Sequence, residues 1–88
     1  MPLYLISYDI AEKDAFEYDN LWAKLRQMGA KKILYSEWAV KGASASGVYN
    51  ELAPLIQGKD RLLVQGMTNE ATWDKLMISD DEFRSLFH

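Results

Sequence analysis

Large apolar side chains dominate the first strand-like segment of the chain, "LYLISYD" over residues 3–9, with polar residues at alternate positions toward its end. In a strand, this alternation separates the side chains onto two faces: Leu3, Leu5, Ser7 and Asp9 on one, and Tyr4, Ile6 and Tyr8 on the other. Because both sets are largely apolar, we expect a central strand that is covered on both faces. An acidic residue, Asp9, ends this otherwise apolar strand.

The spacing of the apolar residues then becomes helical. Residues 16–28 carry apolar side chains three and four positions apart, and Gly29 stands where a C-terminal helix cap is expected. "KKILYSEWAVKG" alternates again and predicts two strands, over residues 32–35 and 37–41. A tight turn or a bulge around Ser36 should join them.

The second half of the chain predicts a further helix and strand. "GASASG" offers Ser44 or Ser46 as the N-cap of the helix. Pro54 should break this helix near Ala53, because proline removes a backbone donor. A strand over residues 61–67 follows.

The tail of the chain predicts helical structure throughout. A short helical turn is expected around residues 71–77, followed by a helix over residues 79–87. That helix begins with a capping box, in which Ser79 is followed three residues later by Glu82.

The predicted order β-α-β-β-α-β is the ferredoxin-like plan, an α+β sandwich with a four-stranded antiparallel sheet and, here, a helical C-terminal tail. One domain is expected, with its core over residues 1–67 and its tail over residues 68–88. Both helices cover one face of such a sheet, which leaves the face with Leu3, Leu5 and Ser7 open. An exposed apolar face of this kind predicts a homodimer packed sheet against sheet.

The composition mainly excludes certain kinds of functional site. The 88 residues contain no cysteine and one histidine, His88. Disulfides, thiolate metal sites and a Ser-His or Cys-His nucleophile are therefore excluded. Because no apolar run approaches the roughly 20 residues of a membrane span, and no signal pattern is present, we expect a cytoplasmic protein without membrane contact.

The net charge of −3 argues against a strong nucleic-acid-binding protein. The charge is uneven, however, since residues 10–20 are acidic and residues 24–41 hold five basic side chains against one acidic one. We therefore expect Lys31, Lys32 and Lys41 to carry any binding of RNA or DNA, which should be weak and sensitive to salt.

"LISYDI" and "YSEWAVKG" together resemble the small CRISPR-associated endonuclease family, the dimeric subunit that partners the spacer integrase. They are similar also to its relatives, the virulence-associated D ribonucleases and the SinR-like proteins. Those families open with an apolar strand ending in Tyr-Asp-Ile, as Tyr8, Asp9 and Ile10 do here. They place a serine and an aromatic residue in the second hairpin, as Ser36 and Trp38 do. The acidic stretch after the first strand and the helical tail are closer to the SinR-like branch.

The resemblance implies a homodimer in which Asp9 of each protomer faces its symmetry mate. The two carboxylates would hold Mg²⁺ or Mn²⁺, which activates water against an RNA or DNA phosphodiester. Asp9 would then be both the catalytic residue and the metal ligand, with Ser7, Ser36 and Trp38 beside it. An integrase-type protein would be a partner.

The residues by themselves leave a second role open for Asp9, that of a strand-ending aspartate that caps the following turn. Three functional classes also remain open. They are a metal-dependent endonuclease, a non-catalytic dimeric adaptor in a nucleic-acid defence or toxin system, and a small-ligand regulatory module. The last would have a pocket at the protomer interface lined by residues 42–47.

Overall fold

The computed structural model describes residues 2–10, 15–56, 58, 60–68 and 70–87. Within the first helix it describes the side chains from Asp19 onward. Glu12 and Asp14 of the acidic stretch, and His88, lie outside the described residues.

Strands and helices follow one another as the sequence predicts. In chain order they are β1 (Leu3–Asp9), α1 (Ala15–Gln27), β2 (Lys31–Leu34), β3 (Glu37–Lys41), α2 (Ala45–Leu52), β4 (Arg61–Gly66) and α3 (Asp80–Ser85). The strand order in the sheet is β2-β3-β1-β4, and each neighbouring pair is antiparallel. This arrangement confirms the ferredoxin-like fold.

Gly29 ends α1, as predicted. Its φ of +82° lies in the left-handed region, which glycine adopts without steric cost. The Gly29 N–H donates to the Arg26 carbonyl over 3.0 Å. The Ala30 N–H donates to the Leu25 carbonyl, also over 3.0 Å. These two bonds form a Schellman motif, which turns the chain from α1 into β2.

Side-chain capping and proline fix the ends of α2. Of the two candidate caps, Ser44 is the N-cap, since its hydroxyl accepts a hydrogen bond from the Gly47 N–H at 3.0 Å. Pro54 lies in a 3₁₀ turn, Ala53–Leu55, directly after α2. The predicted break in the helix is therefore confirmed, because α2 ends at Leu52, two residues before the proline.

The hairpin between β2 and β3 contains both a tight turn and a bulge. Ser36 lies in the turn, as predicted. Lys32 lies opposite Trp38. Leu34 lies opposite Glu37, so β2 has one residue more than β3 over this stretch, and the bulge is in β2.

The main core lies between the sheet and the two long helices. Tyr4, Ile6 and Tyr8 of β1 enter it together with Trp38 and Val40 of β3, which confirms the predicted division of β1 into two faces. The other buried members are Leu21, Leu25, Ala30, Val48 and Leu52. We call this side of the sheet the helix face.

A second, smaller core lies on the opposite side of the sheet, which we call the tail face. Leu3, Ile33, Ala39 and Phe83 are its buried members. Partly buried tail residues pack against them: Trp73, Leu76, Ile78, Leu86 and Phe87. Leu3 is only 4% exposed. The prediction that this face is open is therefore wrong at its Leu3 end, because the tail covers what the two helices leave uncovered.

The predicted helical turn around residues 71–77 is also wrong. These residues form irregular backbone with bends, and Lys75 has a φ of +56°, which does not continue a helix. The Met77 N–H instead donates to the Ile33 carbonyl of β2 over 3.0 Å. Contact with the sheet thus determines the path of this segment.

The helical part of the tail is α3, and its start agrees with the predicted cap. The Ser79 hydroxyl accepts a hydrogen bond from the Glu82 N–H at 3.1 Å. The first turn also carries Asp80 and Asp81, which favourably face the positive end of the helix dipole.

Candidate functional site

The end of the tail face that the tail leaves uncovered contains an open concavity of about 280 Å³. Its lining residues are Ser7, Tyr8, Asp9, Ser36, Arg61, Leu62 and Leu63. Because β1 and β4 are antiparallel, the last residue of β1 meets the first residue of β4 here. The fold therefore brings together the two serines and the aspartate that the sequence singled out.

Asp9 is accessible in this concavity. Its side chain is 76% exposed, and the Arg61 Nη1 atom lies 3.8 Å from its Oδ2 atom. The Arg61 side chain is itself 85% exposed. An exposed pair of this kind contributes about 0–1 kcal/mol, so Arg61 does not lock the carboxylate in place. The capping role of Asp9 concerns residues 11–14, which lie outside the described part of the chain.

Glu37 adds a second carboxylate that the sequence analysis missed. Ser7 lies opposite Glu37 in the sheet, and the Ser7 Oγ donates to Glu37 Oε2 over 3.0 Å. Since Asp9 is two residues beyond Ser7 on the same face, Asp9 and Glu37 are diagonal neighbours. Only the register of β1 against β3 reveals this, so no local sequence signal could have found it.

Arg61 was also missed. It is the first residue of β4 and lies opposite Asp9 in the register. A basic residue at the start of an apolar strand is a common sequence feature, and only the pairing of β4 with β1 makes it part of the site.

The donor atoms at Asp9 fit a hard divalent cation. An exposed carboxylate beside serine hydroxyls offers the oxygen ligands that Mg²⁺ and Mn²⁺ take in proteins. Within the described residues, however, no three His, Cys, Asp or Glu side chains form a group that could hold a metal. A metal at Asp9 would therefore take its remaining ligands from outside these side chains, and the resemblance implies a second protomer for this.

Tyr8 supports the site from the helix face. The Trp22 Nε1 donates to the Tyr8 hydroxyl over 3.0 Å, and the Trp38 Nε1 donates to the same oxygen over 3.2 Å. Trp38 is 4% exposed and packs in the main core, and it contacts the site through the Tyr8 hydroxyl. The shared acceptor holds β1, β3 and α1 together directly behind Asp9.

The three lysines predicted to bind nucleic acid do not share one surface. Lys31 lies opposite Ala39, a residue of the tail-face core. Lys41 lies opposite Leu3, at the end of the sheet away from Asp9. Lys32 is on the helix face, and no lysine lines the concavity among the described residues.

Lys32 is engaged with aromatic rings. Its Nζ atom lies 5.3 Å from the centroid of the Trp22 ring and 5.7 Å from that of Tyr35. Both distances allow a cation–π interaction, which gives this lysine a packing role at the edge of the sheet.

The stretch 42–47, predicted to line a pocket at a protomer interface, has a packing role within the chain. A Cβ atom added at Gly42 would lie 2.7 Å from Val48 Cγ2, so the glycine permits close approach of β3 and α2. The described lining of the concavity at Asp9 does not include this stretch.

Comparison with known proteins supports the fold. No family model matches the chain, and no curated protein matches it. The solved structure of a hypothetical protein, TT1823 from Thermus thermophilus, is similar with a TM-score of 0.70 and 15% sequence identity. The match covers 88% of this chain and 95% of that chain. At this identity the similarity shows a shared fold, that of a small ferredoxin-like α+β protein.

No helix in the described ranges is both long and apolar enough to cross a membrane.

Proposed function

We propose that the chain forms an endonuclease-like homodimer that acts on RNA or DNA phosphodiesters with a divalent metal, related to the small CRISPR-associated endonucleases. The observation that supports this best is the exposed Asp9 carboxylate at the end of a buried strand, in a concavity shared with Arg61 and two serines. β1 is paired on both sides, so it holds Asp9 more firmly than a loop would.

Three polar residues of the concavity have a role in this proposal. Asp9, with the same carboxylate of a second protomer, would hold Mg²⁺ or Mn²⁺, which supplies charge neutralisation and an activated water. Arg61 would bind a phosphodiester oxygen, for which a guanidinium is well suited. Ser36 would donate a hydrogen bond to the same phosphate.

The homodimer would use the uncovered part of the tail face. Leu63 lies opposite Ser7 and is 53% exposed, although it is a large apolar side chain. A two-fold contact through Leu63 would bring the two Asp9 side chains close together. Of the residues predicted for the interface, Ser7 and Leu5 keep partial exposure, whereas Leu3 is covered by the tail.

Cleavage assays on single-stranded RNA and duplex DNA with Mn²⁺ test the catalytic proposal. Asp9→Asn should lower metal-dependent cleavage by about 100-fold or more, since it removes a charged ligand from each protomer. Asp81→Asn is the matched control, because that carboxylate lies in α3 and is 99% exposed. The proposal is wrong if the wild type cleaves neither substrate, or if Asp9→Asn cleaves as well as Asp81→Asn.

Light scattering tests the dimer separately. Leu63→Glu should give a soluble monomer, because it introduces charge into the contact without disturbing either core. A dimer that survives this change would place the interface elsewhere.

A non-catalytic dimeric adaptor is the second candidate. It is favoured by the Arg61 guanidinium, which already offers Asp9 a counter-charge without a metal. On this alternative, Asp9→Asn leaves the dimer intact and Mn²⁺ shifts the melting temperature of neither protein.

A further inference from the structure

A second concavity, of about 300 Å³, lies between the tail and the tail face of the sheet. This volume is at the small end of the range for ligand sites in proteins. Its apolar lining includes Leu5, Ile33, Met67, Trp73, Leu76 and Phe83. It is separate from the concavity at Asp9 and shares none of its described lining residues.

The walls of this concavity are fixed by contacts within the tail. The Trp73 and Phe83 rings meet edge to face with centroids 4.6 Å apart. The Trp73 Nε1 donates to Asp80 Oδ1 over 3.0 Å, which orients the indole. Because these side chains are already held in place, a ligand that binds here has to order few of them, so little conformational entropy of the protein is lost on binding.

The charged groups of the lining have one sign. Glu37 and Asp74 line the concavity, and its described lining contains no basic side chain. Arg84 lies over the Trp73 ring, 5.7 Å from its centroid, but it is not part of the lining and pairs with Asp81 at 3.7 Å. The ligand that complements this lining is therefore apolar and positively charged.

We propose that this concavity binds a small organic amine. The apolar part of the amine packs against Trp73 and Leu5, and its ammonium group lies at the carboxylates of Glu37 and Asp74. Glu37 Oε2 already accepts a hydrogen bond from Ser7, which leaves Oε1 to accept one from the ammonium group. This site does not depend on the function proposed for Asp9.

A titration with tryptamine, monitored through the amide chemical shifts in NMR spectra, tests the proposal. Tryptamine should bind with a Kd below about 1 mM, and the shift changes should centre on Leu5, Met67 and Trp73. Indole-3-acetate, which has the same ring and a negative charge, should bind at least about 10-fold more weakly, because the lining carboxylates repel it.

Two variants locate the ammonium group. Glu37→Gln and Asp74→Asn should each weaken tryptamine binding by about 5-fold or more, since each removes one charge partner. Glu51→Gln is the matched control, because that carboxylate lies on α2 and pairs with Lys24. Its affinity for tryptamine should equal that of the wild type.

Four outcomes would overturn this site. They are equal binding of tryptamine and indole-3-acetate, an unchanged affinity in both carboxylate variants, shift changes centred on Asp9, and an absence of shift changes up to millimolar tryptamine. The last outcome, together with a dimer whose interface protects Leu5 and Met67, would assign the concavity to a second copy of the chain.

Discussion

The helix face and the tail face share the central strand β1, but they are covered in different ways. The helix face packs against α1 and α2, and its members Ile6, Leu25 and Leu52 are fully buried. The tail face is covered by the mostly irregular tail, and only as far as the region of Leu5 and Ala39. The proposed site at Asp9 lies where this second cover stops.

The two covers also differ in how they hold together. The tail makes contacts within itself, as in the cluster of the Trp73, Phe83 and Phe87 rings, in which Phe83 and Phe87 meet edge to face with centroids 5.3 Å apart. Both covers also contact sheet residues that are distant in the sequence, the tail through Phe83 and the helices through Leu25 and Leu52. We therefore expect the tail to open as a local unit while the helix face stays folded.

The largest expected effect comes from truncating one side chain in each core. Leu52→Ala, at a fully buried position of the helix face, should lower the free energy of unfolding by about 2–5 kcal/mol. Phe83→Ala, in the tail-face core, should lower it by about 3–5 kcal/mol. Amide hydrogen exchange distinguishes them. Leu52→Ala should speed exchange throughout the sheet, whereas Phe83→Ala should speed it mainly in residues 70–87. Uniform acceleration in the Phe83→Ala protein would mean that the two faces unfold as one unit.

Tyr8→Phe tests how much the Tyr8 hydroxyl contributes to the stability of the helix face. It removes the oxygen that accepts hydrogen bonds from both Trp22 and Trp38, and leaves two indole N–H groups without that acceptor. We expect the free energy of unfolding to fall by about 1–3 kcal/mol, as measured by urea unfolding monitored with circular dichroism. Tyr35→Phe is the control, since that side chain is 87% exposed and the change should be within about 0.5 kcal/mol. Equal stability of the two variants would show that the indoles find other acceptors.

The helix caps provide a pair of matched, smaller changes. Ser44→Ala and Ser79→Ala each remove a hydroxyl that accepts from a backbone N–H, and each should cost about 1 kcal/mol. The loss caused by Ser44→Ala should appear in the free energy of global unfolding, because α2 belongs to the helix face. The loss caused by Ser79→Ala should appear only as faster amide hydrogen exchange in α3. A global effect of Ser79→Ala would contradict the independence of the tail.

Arg61→Ala should have the smallest effect on stability. The pair with Asp9 is long and exposed, so the free energy of unfolding should change by no more than about 1 kcal/mol. Any loss of RNA or DNA binding in this variant, measured by fluorescence anisotropy of a labelled oligonucleotide, would then reflect the site and not the fold. A large loss of stability would instead make Arg61 a structural residue.

Local sequence signals predicted most of the fold. Gly29, Ser44 and Pro54 act through their own backbone geometry or hydrogen bonds, so their effects could be read without knowledge of the rest of the chain. The two faces of β1 were predictable for the same reason, since alternation is a property of any strand.

Features that depend on register could not be predicted. Arg61 joins the site, and Glu37 lies beside it, because β4 and β3 pair with β1 at one particular offset. The segment around Trp73 has apolar residues that suit a helix, yet it packs against the sheet as irregular backbone with bends. Lys31 and Lys32 fall on opposite faces because consecutive strand residues alternate, and Lys41 lies opposite Leu3, at the end of the sheet away from Asp9.

The hydrogen bonds of Tyr8 have an optical consequence. The chain has three tryptophans, and two of them, Trp22 and Trp38, share the Tyr8 hydroxyl, whereas Trp73 lies in the tail. In a Trp73→Phe protein, intrinsic emission would follow the helix face alone. In a protein with Trp22 and Trp38 both changed to Phe, it would follow the tail alone. The molecule thus contains a separate spectroscopic reporter for each of its two layers, and each could be monitored without an added label.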